Sequence, residues 1–333
     1  MPETTAEPAA LVRARGLTVR FVSRDASVTA VNGVDLDLLP GEVLSILGES
    51  GSGKSVTLRA MMALHPPRQT ALGGELLVCG HDMLAAAEDA VADIRGRLVS
   101  MIFQEPMTAL DPVFTIGHQI TETIIRHEAV SRRDAERRAL DLLEMVQVPS
   151  LQRVLAAYPH ELSGGLRQRA MIAMALSCRP RLLLADEPTT ALDATVQIQI
   201  LLLLRRLQQE LGMGIIFVTH DIGVASEIAD RIEVMYAGRI VEGGSVRDIL
   251  RTPAHPYTRG LLGAMAHGRR RGERLPSIPG APPDPRSVPP GCSFAPRCSE
   301  AEAACLDHVP EARLSAPNRL VRCIHAGAAQ LSH

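Results

Sequence analysis

One stretch near the start of the chain constrains its fold more than any other. Residues 48–55 read Gly-Glu-Ser-Gly-Ser-Gly-Lys-Ser and fit G-x-x-x-x-G-K-S/T, the pattern of a phosphate-binding loop. An apolar, β-prone run (42–47) precedes the loop and a helical run (56–64) follows it, which is the context that the motif requires. Glycines let the backbone turn tightly, so that successive N–H groups point at phosphate oxygens at a helix N-terminus. The stretch predicts a nucleoside triphosphate site.

Two side chains of this loop have predicted roles. Lys54 is the only lysine of the chain, since every other Lys or Arg position is arginine. A compact ammonium binds where a planar guanidinium does not fit, and we expect Lys54 to reach the β- and γ-phosphates. Ser55 is predicted to ligate Mg²⁺. A glycine-rich turn with a chance lysine is disfavoured by the flanking strand and helix. The other predicted nucleotide contacts are Gly48, Ser50, Gly51 and Gly53.

Composition narrows the class of protein. The chain has 333 residues, of which 46% are apolar and 22% charged, as in ordinary globular proteins. A net charge of −2 offers no footprint for nucleic acid, and no apolar run is long enough to span a bilayer. Residues 1–10 are predicted to be a disordered leader without a signal peptide. We therefore expect a cytosolic chain, whose six cysteines do not predict disulfides.

The segments around the loop indicate an antiparallel sheet and a helical insertion. Two or three strands are predicted between residues 17 and 38, with a turn at 23–27. Phe21 lies in the first of them, as a stacking face for adenine or as simple core packing. Strands at 75–78 and 98–103 follow, the second running into Gln104. The helices after it include one capped by Ser131.

Residues 162–168, Leu-Ser-Gly-Gly-Leu-Arg-Gln, open a strongly apolar helix. Ser163 is a natural N-cap, and Gly164 and Gly165 leave backbone amides uncovered at the positive end of the helix dipole. The feature is a second potential anion site. An ordinary Ser-Gly-Gly turn before a core helix is the alternative, and these residues alone favour it.

Carboxylates and a histidine follow two buried strands. Asp186 and Glu187 lie near the end of the run 181–188, where Asp186 is placed to hold Mg²⁺ and Glu187 to polarise the attacking water. His220 follows the strand 215–219, at the edge where α/β sheets place their ligands.

These motifs, in this order, resemble the motif set of the ATP-binding cassette (ABC) ATPases over roughly residues 11–250. The resemblance implies an α/β P-loop NTPase fold of the ABC type: a mixed or parallel sheet core, an N-terminal antiparallel sheet and a helical subdomain at about 105–178. It also implies that two cassettes pack head to tail, with ATP between residues 48–55 of one and 163–165 of the other. The further roles that it implies are Mg²⁺ sensing (Gln104), a γ-phosphate contact (His220), a contact to the opposite subunit (Asp193), adenine stacking (Phe21) and nucleotide binding (Gln168).

Four other stretches look like the peptide/nickel importer branch of that family: residues 103–112, 114–117, 158–161 and 255–259. The resemblance implies an ATPase subunit of a dipeptide, oligopeptide or nickel importer, bound at the cytoplasmic face of the inner membrane. Its implied partners are two transmembrane permease subunits, a second cassette ATPase and, indirectly, an extracytoplasmic solute-binding protein. A soluble cassette protein acting on ribosomes or DNA usually has two cassettes or a coiled coil, and neither occurs here.

A helix and a proline-rich connector (251–290) lead to a C-terminal extension (291–333) that holds four of the six cysteines. Cys292, Cys298, Cys305 and Cys323 are spaced C-x₅-C-x₆-C-x₁₇-C. A segment too short to build much core predicts a metal as staple. Wide thiolate spacing suits a 4Fe–4S cluster, and residues 291–298 look like the region that holds one in some members of the branch. Zinc, with His308 or His325 as further ligands, and free thiols are the alternatives.

Overall fold

The computed structural model describes residues 9–23, 26–190, 192–264, 277–316 and 318–326. Most of the predicted leader, residues 265–276 of the connector, and 317 and 327–333 of the extension lie outside this part. The strands are β1 (Val12–Val22), β2 (Ser27–Leu38), β3 (Val43–Leu47), β4 (Thr70–Val78), β5 (His81–Asp82), β6 (Val99–Ile102), β7 (Leu182–Asp186), β8 (Gly214–Thr219), β9 (Arg231–Tyr236), β10 (Arg239–Ser245), β11 (Arg313–Ala316) and β12 (Arg319–Val321).

The helices include three short ones in the C-terminal third of the chain. Two 3₁₀ turns, Pro159–Glu161 and Ala295–Arg297, complete the described elements. The helices are α1 (Lys54–Met61), α2 (Glu88–Ile94), α3 (Pro106–Ala109), α4 (Ile116–His127), α5 (Arg132–Met145), α6 (Leu151–Ala156), α7 (Gly164–Leu176), α8 (Ala194–Leu211), α9 (Ile222–Ile228), α10 (Val246–Arg251), α11 (Pro256–Gly263) and α12 (Ala303–Asp307).

The chain divides into two compact units, and the first comprises residues up to Arg13, Asp37–Val43 and Leu77–Phe217. Its strands β8, β7 and β6 are neighbours, with β6 parallel to β7. Every residue of β7 is buried, which is typical of a parallel strand covered on both faces. Helices α3 to α7 follow one another between β6 and β7. Ser131 caps α5 by accepting from the Asp134 N–H, as predicted.

The second unit comprises Ala14–Leu36, Leu44–Leu76 and residues from Val218 onward. In it β2, β1 and β4 lie side by side, and β1 alternates between buried Leu17 and Val19 and exposed Arg20. Strand β3 pairs in parallel with β9, and β9 pairs antiparallel with β10. The two units together have the mixed α/β architecture that the sequence predicts, with antiparallel and parallel strands.

The C-terminal extension is part of the second unit's sheet. Strand β12 pairs antiparallel with β10 and β11 pairs with β12. Phe294 is 3% exposed and packs edge-on against Tyr236 and at a tilt against Tyr257. The extension therefore obtains its core from β9 and α11, which removes the need for a metal on grounds of size alone. Within the described residues, no helix combines the length and apolarity needed to span a bilayer.

Candidate functional site

The phosphate loop lies between β3 and α1 in the second unit. Gly53 precedes α1 with φ +106°, and a Cβ there would lie 2.5 Å from the Ala30 carbonyl oxygen. A Cβ on Gly48 would overlap the Met235 carbonyl oxygen. Positive φ and close backbone approach both exclude larger residues. The glycines of the motif are thus required by the packing of the loop as well as by its predicted ligand.

Lys54 lies at the first position of α1 and is 4% exposed. Its Nζ donates to the carbonyl oxygens of Gly48 (2.8 Å) and Glu49 (2.9 Å), so the ammonium is held inside the curve of the loop. The helix has a glycine N-cap, without a side-chain cap or an acidic residue in its first turn. The positive end of its dipole therefore has no acidic side chain within the first turn of the helix, which favours an anion.

An apolar cavity of about 210 Å³ adjoins the loop in the same unit. Phe21 lies on its wall and packs edge-on against His65, with ring centroids 5.4 Å apart. Burial of the His65 ring lowers its pKa, so the imidazole beside Phe21 is kept neutral. The cavity is lined by Phe21, Val28, Thr29, Ala30, Glu49, Ser50, Gly51, Ser52, Tyr236, Ala237, Gly238, Pro282, Pro283, Pro285 and Val288.

His220 is exposed and follows the last residue of β8. The Thr219 carbonyl accepts a hydrogen bond from the Gly48 N–H over 3.4 Å. The end of β8 and the start of the phosphate loop are therefore joined, and His220 is one residue from that joint. The structure brings together the predicted γ-phosphate contact and the predicted phosphate loop.

In the first unit, the parallel pairing of β6 and β7 places Ile102 opposite Ala185. Gln104 and Asp186 follow these residues and emerge at the same edge. Asp186 is 2% exposed. Glu187 adopts φ +44°, which is unusual for a residue with a Cβ and is characteristic of strained functional positions.

The side chain of Glu187 is positioned by the turn after β7. Its Oε2 accepts from the Thr190 hydroxyl over 2.9 Å, and its carbonyl oxygen accepts from the Thr190 N–H. Thr190 is a positioning residue that sequence reasoning did not identify, although it follows Glu187 by three residues, the spacing typical of such turns.

The start of α7 has the predicted cap. Ser163 is exposed and its Oγ accepts from the Leu166 N–H. A Cβ on Gly165 would lie 3.1 Å from Val196 on α8, so glycine permits close approach of the two helices. Gln168 is 2% exposed, and its Nε2 has no hydrogen-bond partner in the described part of the chain, a costly arrangement for a buried donor.

Asp193 is the N-cap of α8 and accepts from the Thr195 and Val196 N–H groups. Its side chain is exposed. The first unit contains the start of α7 and four predicted site residues, Gln104, Asp186, Glu187 and Asp193. Phe21, the phosphate loop and His220 belong to the second.

Comparisons with known proteins show the family to which this chain belongs. Residues 31–190 match the family model described as ABC transporter. A peptide import ATP-binding protein of Brucella melitensis biotype 1 is 49% identical over 322 residues, 93% of this chain and 95% of that protein. The chain belongs to the ABC transporter ATPases. A second peptide import ATP-binding protein from that organism is 46% identical over 315 residues, 95% of each chain.

A solved structure supports the same fold for this ABC ATPase. It is a dimeric ATP-binding cassette in a post-hydrolysis state with ADP and Pi, 32% identical, with a TM-score of 0.64. The match covers 71% of this chain and 99% of that one. The predicted ABC-type P-loop fold is thereby confirmed. Residues 241–305 separately match the C-terminal region of oligopeptide/dipeptide transporters.

The C-terminal part of this ABC ATPase contacts its own phosphate loop. The Tyr257 hydroxyl accepts from the Glu49 N–H over 3.0 Å. The buried Arg297 guanidinium binds both Glu49 carboxylate oxygens and the Tyr236 hydroxyl. Hydrogen bonding to Glu49 raises the pKa of Arg297, and burial raises that of Tyr257. Tyr257 and Arg297 both lie in stretches that resemble the importer branch. The sequence therefore drew attention to these two residues, but it did not indicate which residues they bind.

In this ABC ATPase, neighbouring cysteines of the extension influence the pKa of Cys292 and Cys323. Burial raises the pKa of Cys292, and neighbouring Cys305 and Cys298 raise it further. Burial likewise raises the pKa of Cys323. Among the residues that the structure describes, however, no group of three or more His, Cys, Asp or Glu side chains is arranged to hold a metal ion. The predicted 4Fe–4S site is not supported by this arrangement.

Proposed function

We propose that this chain is the ATP-hydrolysing subunit that energises a membrane importer of peptides. The observation that carries the proposal is the similarity to peptide import ATP-binding proteins over 93% of the chain, including the C-terminal region model at 241–305. The phosphate loop and Glu187 support hydrolysis. The loop provides an anion site, and Glu187 provides a carboxylate on a turn where its backbone has a strained φ.

The roles that we propose for the residues are those that their sequence motifs predict. Lys54 and the α1 amides bind the phosphates, and Phe21 stacks on the base. Glu187 takes a proton from the attacking water, and His220 contacts the γ-phosphate. The side-chain oxygens of Ser55, Gln104 and Asp186 would hold Mg²⁺, which would neutralise phosphate charge when bound.

ATP drives transport because it binds two states of the cassette pair with different affinities. ATP drives closure of two cassettes only by the amount that it binds the closed dimer better than the open one. In the closed dimer Ser163, Gly164, Gly165 and Gln168 of one chain complete the site of the other, and Asp193 meets the opposite subunit. Hydrolysis removes that preference and reopens the pair.

The partners in this proposal are two transmembrane permease subunits and a second cassette ATPase, at the cytoplasmic face of the inner membrane. An extracytoplasmic solute-binding protein acts indirectly, and nucleic acid is not a partner. One chain holds one cassette, so a pair of sites needs a second chain. Nickel or another small solute in place of peptide is the alternative cargo.

Uptake by cells that lack this chain tests the proposal. Loss of labelled di- or oligopeptide uptake with unchanged nickel accumulation is expected, and restoration by the wild-type chain but not by Lys54→Ala. Unchanged peptide uptake with lost nickel accumulation would transfer the assignment to nickel. Unchanged uptake of both peptide and nickel would show that this chain energises the transport of neither solute.

We propose a cofactor for the extension from the residue type of its donors alone, since among the residues that the structure describes the thiols are not arranged to hold a metal ion. Four cysteine thiols are the ligand set of a 4Fe–4S cluster, which would be structural or regulatory here. Anaerobic purification followed by iron, sulfide and zinc analysis tests it. Brown protein with iron and sulfide in equal amounts is expected. Colourless protein with zinc, or metal-free protein with alkylatable thiols, would reject the cluster.

A further inference from the structure

The proline connector lies against the predicted nucleotide site. Pro282, Pro283 and Pro285 line the same cavity as Phe21 and the phosphate-loop residues 49–52, and Val288 completes that wall. Pro282 and Pro285 are exposed, and Pro283 and Val288 are half-buried. Rings that are exposed and yet line a cavity present apolar surface that a ligand in the cavity would cover.

The local shape of the connector is fixed by its own hydrogen bonds. The Asp284 side chain accepts from the Arg286 N–H over 2.9 Å, and its carbonyl oxygen accepts from the Ser287 N–H. This turn orients the prolines on both sides of Asp284. Proline also restricts the backbone before binding, so little conformational entropy is lost when a ligand covers the wall.

One arginine ties the connector to the phosphate loop. Arg297 Nε donates to the Pro279 carbonyl oxygen over 2.9 Å, while its Nη atoms bind the Glu49 carboxylate. Arg297 is 9% exposed. The same guanidinium therefore sets the distance between the connector and the loop that begins the phosphate site.

The size and lining of the cavity identify the ligand group. About 210 Å³ is below the roughly 300–1,000 Å³ of pockets that enclose a whole drug-sized ligand. A single ring system fits such a volume, while phosphates remain over the glycine loop. Apart from loop residues, the walls are mainly apolar, which suits the face of a heterocycle rather than a charged group.

We propose that the connector is a base-binding element of this ATPase. The base of ATP lies between the Phe21 ring and the wall formed by Pro282, Pro283, Pro285 and Val288, so the C-terminal region contributes directly to nucleotide affinity. The inference rests on the proposed nucleotide site and adds to it a second face and the chain segment that supplies it.

Calorimetric titration of the full-length chain with two ligands tests the proposal. ATP has a base and inorganic tripolyphosphate has none. The variant is Pro282→Ala/Pro283→Ala/Pro285→Ala, and the matched control is Pro289→Ala/Pro290→Ala in the same connector, at positions that do not line the cavity. ATP affinity of the triple variant should fall about five- to twentyfold, as expected for loss of some tens of Å² of apolar contact. Its tripolyphosphate affinity and both affinities of the control should not change.

The outcomes separate the inference from the function on which it rests. Unchanged ATP affinity in the triple variant would overturn the base wall and leave the ATPase intact. An equal loss of affinity for ATP and for tripolyphosphate would show that the prolines act on the phosphate loop. That result would also overturn the base wall. Failure of the wild-type chain to bind either ligand would instead reject the nucleotide site itself.

A fluorescence reporter gives a second reading that does not depend on weakening the wall. The chain has no tryptophan, so Val288→Trp introduces a single one, which is excited selectively at wavelengths that the three tyrosines do not absorb. Its emission should change when ATP is added and stay constant with tripolyphosphate. Emission that is unaffected by ATP at saturating concentration would contradict the proposal.

Discussion

The carboxylate of Glu49 and the guanidinium of Arg297 form a two-pronged ion pair, with Nη1–Oε2 at 2.8 Å and Nη2–Oε1 at 3.1 Å. The partners are 248 positions apart in the chain. Glu49 belongs to the phosphate loop and Arg297 to the C-terminal extension. Planar, bidentate pairing of this kind is specific to arginine and fixes the orientation of both groups. The extension is thus bound to the loop that we assign to nucleotide binding.

Removal of Arg297 should destabilise the protein. Arg297→Met leaves the Glu49 carboxylate, whose side chain is 26% exposed, without its cationic partner. We expect a loss of about 2–4 kcal/mol in the free energy of unfolding, somewhat less than for a fully buried pair. Urea unfolding measures it, and Arg286→Met, an exposed arginine of the connector, is the control. Equal midpoints for the two variants would show that the ion pair contributes little.

Lys54→Arg should abolish tight ATP binding although it preserves the charge. The Nζ of Lys54 lies between two loop carbonyls in a space closed to solvent, and a planar guanidinium does not fit that curve. Calorimetry of the full-length chain checks this. The exposed Arg59→Lys on the same helix is the control and should bind as the wild type does. Micromolar affinity retained by Lys54→Arg would contradict this placement.

Glu187→Gln should keep ATP binding and lower turnover by roughly 10²–10⁴-fold, the usual contribution of a general base. The amide keeps the hydrogen bond from Thr190 but cannot take a proton at neutral pH. Phosphate release by the assembled complex is the measurement, with the exposed Glu227→Gln as control. Near-normal turnover of the variant would show that Glu187 is not the general base.

Ser163→Arg should separate binding from hydrolysis. The side chain is exposed at the N-terminus of α7, where a cation is unfavourable for the helix dipole and where the long arginine side chain would occupy the space of an incoming phosphate. We expect unchanged ATP affinity in the isolated chain and loss of hydrolysis in the paired state. Loss of binding by the isolated chain would argue against the head-to-tail arrangement.

His255 should make the fold sensitive to mild acid. Burial, helped by the nearby Arg259, lowers its pKa from 6.5 to about 3, and its Nδ1 accepts from the Tyr257 N–H. The unfolded chain then binds the proton more readily than the folded chain. Stability is therefore complete above about pH 6.5 and is lost progressively as the pH falls toward 3.

Between pH 7 and pH 5 this histidine should cost about 2 kcal/mol of unfolding free energy. His255→Asn keeps an acceptor for the Tyr257 N–H and removes the titration. Urea unfolding at both pH values should show a smaller loss for the variant than for the wild type. The same loss in both proteins would mean that other groups set the acid sensitivity.

Much of the site was predictable because its chemistry is local. The phosphate loop, the Ser163 cap and the two carboxylates after β7 each depend on neighbours in sequence, and glycine spacing and strand–loop–helix order are visible there. The strained φ of Glu187 and its bond from Thr190 were not predicted, since backbone torsion depends on how the turn after β7 packs.

The extension shows the opposite case. Its cysteines predicted a metal staple on the assumption that so short a segment lacks a core. The structure instead pairs β12 with β10 and buries Phe294 between Tyr236 and Tyr257, which provides that core. Sequence reasoning could not foresee this, because pairing between distant strands leaves no periodic signal in either one.

The sequence by itself determined that this chain has a phosphate loop, a helical insertion and the ordered motifs of an ABC ATPase, because each depends on residue types at short, fixed spacing. Only the tertiary structure decided that Arg297 binds Glu49 and that the connector prolines share a cavity with Phe21. Such contacts join segments far apart in the chain, and they exist only once strand pairing and burial have brought those segments together.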